Sequence, residues 1–492
     1  MHAQGVAIAH GQWIDATIAY TTQLLATANE AWALSLRQYD STGRWLMVTG
    51  RTLRGDSLRY ASELTRAYHR DRGDLYWLLG AARLARHDTA GARDAWQRQW
   101  EEYARGDNRH GQYDVARRLL ALALAQHDST AAVRYAGDAF LAFDRGDGRI
   151  PPELVAVTAQ LHALFKATRH DASPAGVTRF LDSLYRTDDI PYDGTPVTPY
   201  TGSYGGRTVL LSTETWVDCG GCRTRDDALD AMHARYQDNV FVLVHHYEVP
   251  FVTPGASGMG PTADGAWTVD HGILSVPYDR MARNAACGMI HVNGTCPTFY
   301  TADAMAFGAA PAPRLYDMVV PTVDSLLTLP ALGAIRASVQ YANGQIAVTA
   351  HLDSVAARSH PLKMHIVLVE DSLHFQGENH LRIWRMIPRR FAGDSATRFG
   401  FQVPSTRRGT FTTTFNLATI ERELAQKNAW IDRKDGREPR SPLEQALRTA
   451  ATHLDPAHLS VLVFVHDDVT GEVLHTVRIP LPIASSLQQA SR

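Results

Sequence analysis

The stretch TVLLSTETWVDCGGC, residues 208–222, decides how the middle of this chain is read. Val209-Leu210-Leu211 is a short apolar strand, and Asp226 to Tyr236 has the spacing of an amphipathic helix. Val240 to His246 (VFVLVHH) is a second buried strand. Strand, helix and strand in that order predict a parallel βαβ unit, because parallel neighbours need a long crossover. Cys219-Gly220-Gly221-Cys222 therefore sits directly after a strand and opens a helix. Backbone N–H groups and the positive helix end stabilise a thiolate there, lowering its pKa from about 8.5. The two glycines allow a tight turn that brings the sulfurs together. Cys219 is the expected nucleophile and Cys222 the resolving thiol. Two other readings use the same residues. One is an inert structural disulfide. The other is a zinc site with His245-His246, although C-x-x-C beside a βαβ pattern reads first as redox.

Downstream, Asn293-Gly294-Thr295-Cys296-Pro297-Thr298-Phe299-Tyr300 forms a turn, then X-Pro-Thr, then an apolar strand. With the upstream unit, this order resembles the thioredoxin superfamily over roughly Thr208 to Leu327, with a long Tyr247–Arg283 insertion. The resemblance implies a cis Cys296–Pro297 bond facing Cys219 and Cys222, with Cys296 and Pro297 shaping a substrate groove. Asp218 stands where many members carry Trp, and Trp216 lies three residues before Cys219. The Asp218 carboxylate opposes thiolate formation, while Arg223 and Arg225 favour it. Cys296 either adds a third sulfur to the dithiol or pairs with Cys287, nine residues away, in a second disulfide. Asn293-Gly294-Thr295 reads as a turn rather than a glycan site.

Upstream, residues from Ile14 to Tyr185 read as helix after helix, rich in Ala, Leu and Arg. A turn-like string recurs: Leu53-Arg54-Gly55-Asp56-Ser57, Ala85-Arg86-His87-Asp88-Thr89, Ala125-Gln126-His127-Asp128-Ser129 and, more loosely, Thr168-Arg169-His170-Asp171-Ala172. In each, Gly or His ends one helix and Asp or Ser/Thr caps the next, so the His-Asp pairs read as turns, not catalytic dyads. Tyr76, Leu79, Gly80, Ala92 and Trp96 fall at tetratricopeptide offsets, and the segment resembles a degenerate array of such repeats. Residues 187–207 (TDDIPYDGTPVTPYTGSYGGR) read as a linker or an arm across a domain surface.

After Gly333 the pattern alternates. Val339 and Tyr341, then Asn343-Gly344, then Ile346, Val348, Ala350 and Leu352 predict a hairpin. Further strands are expected at Leu362–Glu370, His380–Ile387, Phe399–Val403, Phe411–Phe415, Leu459–His466 and Val473–Ile479, with helices at Leu417–Gln426 and Pro442–His453. These predict a β-sandwich. The segments around Val367–Asp371, Gly377–His380, Met386–Arg390, Leu459–Asp468 and Thr470–Leu474 resemble the sandwich of the Omp28-type outer-membrane lipoproteins. In that family a thioredoxin-like domain precedes the sandwich.

The expected architecture is thus multidomain: a TPR-like α-helical domain at 1–187, an α/β thioredoxin-like domain at 188–330 and an all-β immunoglobulin-like sandwich at 331–492. With 492 residues and a net charge of −2, the chain lacks the basic stripe of a nucleic-acid binder. No run of about 18 apolar residues suggests an integral membrane segment. The start, MHAQGVAIAHGQW, has neither a basic region nor an apolar core, so no signal peptide is expected in it. No metal and no cofactor are expected. All four cysteines fall between Cys219 and Cys296. The expected activity is thiol–disulfide exchange on protein or peptide substrates outside the cytoplasm, the periplasm or outer membrane being implied by the family resemblance. The alternative is an extracytoplasmic binding or assembly protein whose helical repeats and sandwich hold protein partners, with the CxxC as a staple.

Overall fold

A computed structural model describes residues 14–27, 46–48, 51–53, 57–106, 108–143, 152–168, 173–188, 197–215, 223–236, 239–246, 290–293, 312–374, 382–393, 400–435 and 449–482. The chain divides into two compact units, one of residues 1–145 and 150–191, the other of 146–149 and 192–492. It is multidomain, with an N-terminal helical region and a C-terminal region of antiparallel sheets. None of the described helices is long and apolar enough to cross a membrane.

The first unit contains a helix over residues 14–27 (α1), then a short hairpin of β1 (Leu46–Val48) and β2 (Arg51–Leu53). The hairpin interrupts the expected helical run. Six helices follow: α2 (Ser57–Ala85), α3 (Thr89–Arg105), α4 (Arg109–Ala125), α5 (Ser129–Ala142), α6 (Pro152–Thr168) and α7 (Pro174–Asp188). Two of the repeated strings are turns built as their chemistry requires. His87 and His127 take positive φ, 63° and 55°, and the next residues cap the following helices. Asp88 accepts from Gly91 N at 2.8 Å and Asp128 from Ala131 N at 3.0 Å. Asn108 caps α4 in the same way, accepting from Gly111 N, and Ser173 caps α7 through Gly176 N. The Gly55-Asp56 and His170-Asp171 strings lie outside the described residues. Between α2 and α3, Tyr76, Leu79, Ala92 and Trp96 are buried. A Cβ on Gly80 would come within 2.4 Å of the Trp96 indole, so only glycine admits that close approach.

The second unit begins with an arm. Across residues 197–207 it pairs with the end of α9 (Ala312–Leu327), Gly205 N donating to Leu327 O and Arg207 N to Leu329 O. Gly206 has φ 102°, and a Cβ on Gly205 would meet the Thr328 carbonyl at 2.2 Å. Next come β3 (Val209–Thr215), α8 (Arg223–Tyr236), β4 (Val240–His246) and β5 (His291–Val292), in sheet order β4-β3-β5.

Beyond α9, β6 (Gly333–Ala342) and β7 (Gln345–Val355) form the Asn343-Gly344 hairpin, both turn residues taking positive φ (52° and 71°). With β13 (Gly409–Asn416) they make a sheet ordered β13-β7-β6. The second sheet runs β11-β8-β14-β15, from β8 (Leu362–Glu370), β11 (Ile387–Phe391), β14 (Leu459–Asp467) and β15 (Val473–Pro480), with β12 (Phe401–Gln402) also on β8. A small pair, β9 (Leu373–His374) with β10 (Ile383–Trp384), and helix α10 (Leu417–Asp435) complete it.

The two sheets pack face to face. Ile346, Val348, Ala350, Phe411 and Phe415 of one meet Met364, Ile366, Leu368, Val461 and Val463 of the other. The opposite face of the second sheet is not left to solvent. Val367, Val369, Leu462 and Phe464 join Leu210, Met232, Leu243, Val319 and Val323 in one core. Every residue of β8 and β14 is therefore buried. Burial on both faces explains why those two strands carry consecutive apolar residues, Ile366–Val369 and Val461–Val465, while β6, β7 and β13 alternate. Residues 331–492 thus enclose one core between their two sheets and share a second with the strands and helices of 188–330.

Candidate functional site

The frame around the cysteine pair is a parallel strand pair with its crossover helix. β3 and β4 run in register over seven pairs, from Val209 opposite Val240 to Thr215 opposite His246. Val209, Leu210 and Leu211 have no exposed surface. α8 turns Ala228, Leu229, Met232 and Tyr236 into the same core. Seven residues, 216–222, join the end of β3 to the start of α8. Cys219 and Cys222 are among them and lie outside the described residues, as do Cys287, Cys296 and Pro297. In chain order the two cysteines fall between the carboxyl end of a parallel strand, Thr215, and the first residue of a helix, Arg223. That is where open α/β sheets place reactive groups and where backbone N–H groups favour an anion.

The far end of α8 is firmly tied. Arg235 Nη2 meets Asp324 Oδ2 at 2.9 Å, and Tyr236 Oη donates to Asp324 Oδ1 at 2.6 Å. Burial, reinforced by the Asp324 carboxylate, pushes the Tyr236 phenol well above its ordinary range, so it stays a donor. Arg235 Nη1 also donates to Thr198 O and its guanidinium lies over Tyr200, which holds the arm. Midway along α8, Asp230 pairs with Arg385 at 2.9 Å, and Arg385 reaches Asp371 beside β8. Val244 N donates to Met386 O in the same neighbourhood. The helix that follows the dithiol is thereby fixed to α9, to the arm and to the sheet behind it. Neither Asp324 nor Arg385 carried a motif; apolar or turn contexts surround both, and only the fold brings them to α8.

β5 adds a constraint of its own. It runs antiparallel to β3, Val292 opposite Leu211 and His291 opposite Ser212. Asn293 then turns with φ 50° and is buried. Its backbone N donates to Leu210 O at 2.8 Å, its Oδ1 accepts from Leu210 N at 2.7 Å, and its carbonyl accepts from Val473 N. The carboxamide oxygen is thus spent inside the fold. β5 precedes Cys296-Pro297 in the chain, and its direction carries the backbone toward the start of β3. Leu210 and Thr215 are five strand residues, about 17 Å, apart. The described segments that lead to Cys219 and to Pro297 therefore leave β3 at opposite ends, and a meeting of the two depends on the residues beyond Thr215 and Asn293.

No known protein family matches the chain, and no curated protein matches it. Among solved structures, HBP35 of Porphyromonas gingivalis is similar over 57% of this chain and 77% of that one, at 13% identity and a TM-score of 0.34. A likeness of that size assigns neither fold nor activity.

Proposed function

We propose that the protein is a thiol–disulfide oxidoreductase of thioredoxin type, acting on protein or peptide disulfides outside the cytoplasm. The observation that carries the reading is the order strand, CGGC, helix, parallel strand, with the dithiol between the end of β3 and the start of α8. In the proposed cycle the Cys219 thiolate attacks a substrate disulfide, forming a mixed disulfide and releasing one substrate thiolate. Cys222 then attacks Cys219 Sγ, closing the Cys219–Cys222 bond and releasing the second. Two electrons pass to the substrate, and the reverse sequence oxidises a dithiol. Cys296 and Pro297 enter as a proposed substrate groove, and Cys287 with Cys296 as a proposed second disulfide; the register of β5 makes these separable from the dithiol itself. The domains are proposed to be TPR-like, thioredoxin-like and, for the sheets behind, an immunoglobulin-like sandwich of Omp28 type.

Cys219→Ser is expected to abolish reduction of insulin or oxidation of a reduced test protein, and Cys222→Ser to accumulate mixed disulfides. Wild-type protein inactive in both assays contradicts the proposal. The stacked helix pairs of the first unit favour a second reading, a protein-holding scaffold with the CxxC as a staple. Partner capture that is unchanged when both cysteines are Ser supports that reading instead.

A further inference from the structure

The second sheet buries two histidines that thiol exchange does not use. His365 on β8 and His466 on β14 are each 3% exposed, and their Nε2 atoms lie 2.8 Å apart. They share the sheet face of Phe464 and Val367, since His365 stands opposite Phe464 and His466 opposite Lys363 in the β8–β14 register. The His365 ring stacks on Phe464 with centroids 5.0 Å apart and meets Phe391 of β11 edge-on. From the β12 side, Gly400 leaves room for it: a Cβ there would come 3.0 Å from the imidazole.

An Nε2-to-Nε2 hydrogen bond needs one ring to donate and the other to accept, so the neutral rings are opposite tautomers. One added proton places a cation among aromatic rings; a second sets two N–H groups head to head and breaks the bond. We propose that His365 and His466 form a proton-operated latch across β8 and β14, closed at neutral pH and opened in acid.

Lys363 of β8 lies opposite His466, its ammonium held by Asp468 at 3.2 Å, and opposes a further cation. Asp467 of β14 and Asp468 just after it favour one; Phe391 of β11 and Gly400 bring no charge. Burial dominates, pushing His466 down to about 4. On β15, His475 is also pushed down by burial, but it faces Thr208, at 3.4 Å, and not the pair. Below the unfolded value near 6.5 the unfolded chain binds protons that the closed latch refuses, so stability falls as pH drops toward 4.

The test is the pH dependence of urea unfolding between pH 7 and 4, with imidazole nitrogen NMR of the full chain. Wild type should show opposite tautomers at neutral pH. At pH 5 its unfolding should take up at least one more proton than that of His365→Leu/His466→Leu. Equal proton uptake in wild type and the double variant, or both rings titrating near 6.5 in the folded protein, overturns the latch. Should the double variant fail to fold, the wild-type NMR titration alone decides.

Discussion

Arg389→Met is expected to destabilise the second unit by about 3–5 kcal/mol at pH 7, the usual consequence of leaving one partner of a buried ion pair alone. Arg389 has no exposed surface, and Glu370 is 3% exposed. The Arg389 Nε lies 3.1 Å from Glu370 Oε2, and its Nη2 donates to Ala451 O at 2.9 Å. Glu370 Oε1 accepts from Asp455 N, tying β8 to the turn before β14. Burial already pushes the Glu370 carboxyl upward, and Arg389 is what pulls it back. Without Arg389 the carboxylate is charged, dry and unpaired. The penalty exists only while Glu370 is ionised, so the variant's deficit should shrink as pH falls through its raised pKa. Arg389→Met/Glu370→Gln should recover much of the loss. Chemical denaturation of the three proteins at pH 7 and 5 checks this; an equal deficit in the single and double variants contradicts the assignment of the loss to an unpaired charge.

Phe464→Ala should cost a similar amount, about 3–5 kcal/mol, through the cavity left by a fully buried ring. The informative part is where the loss is felt. Phe464 has no exposed surface and belongs to the core that contains Leu210, Met232 and Leu243 as well as Val367 and Leu462. Native-state hydrogen exchange should therefore show β4 and β14 amides losing protection together and by the same free energy. Loss confined to β14, with β4 unaffected, contradicts a shared core.

Local chemistry made much of this structure legible. The Asn343-Gly344 hairpin, the His87 and His127 turns with their Asp caps, and the β3–α8–β4 crossover each rest on short-range rules, and each is present. The β8 and β14 runs were legible as strands, but their two-sided burial was not, since it depends on residues as close as Leu327 and as far upstream as Val209. For the same reason the break at 330–331 looked like a boundary between cores. The core that holds Leu210, Met232 and Val319 also takes in Val367 and Phe464 from beyond that break. The β1–β2 hairpin and the two-residue β5 are too short to carry a periodicity. At the site, the order of strand, CGGC and helix is legible in the sequence, whereas His291 and Val292, which pair with β3, form too short a strand to show a pattern. Asp324, Arg385 and Asn293 do their work through partners far apart in sequence.

The most direct measurement is the reduction potential of the Cys219–Cys222 pair in the full-length protein, from alkylation and mass spectrometry across defined thiol–disulfide buffers. The account predicts a reversible two-electron couple within the range of known exchange proteins, about −120 to −270 mV, lost in Cys219→Ser. A pair that stays locked below about −300 mV, or never closes, contradicts it and leaves the cysteines as a staple or as free thiols.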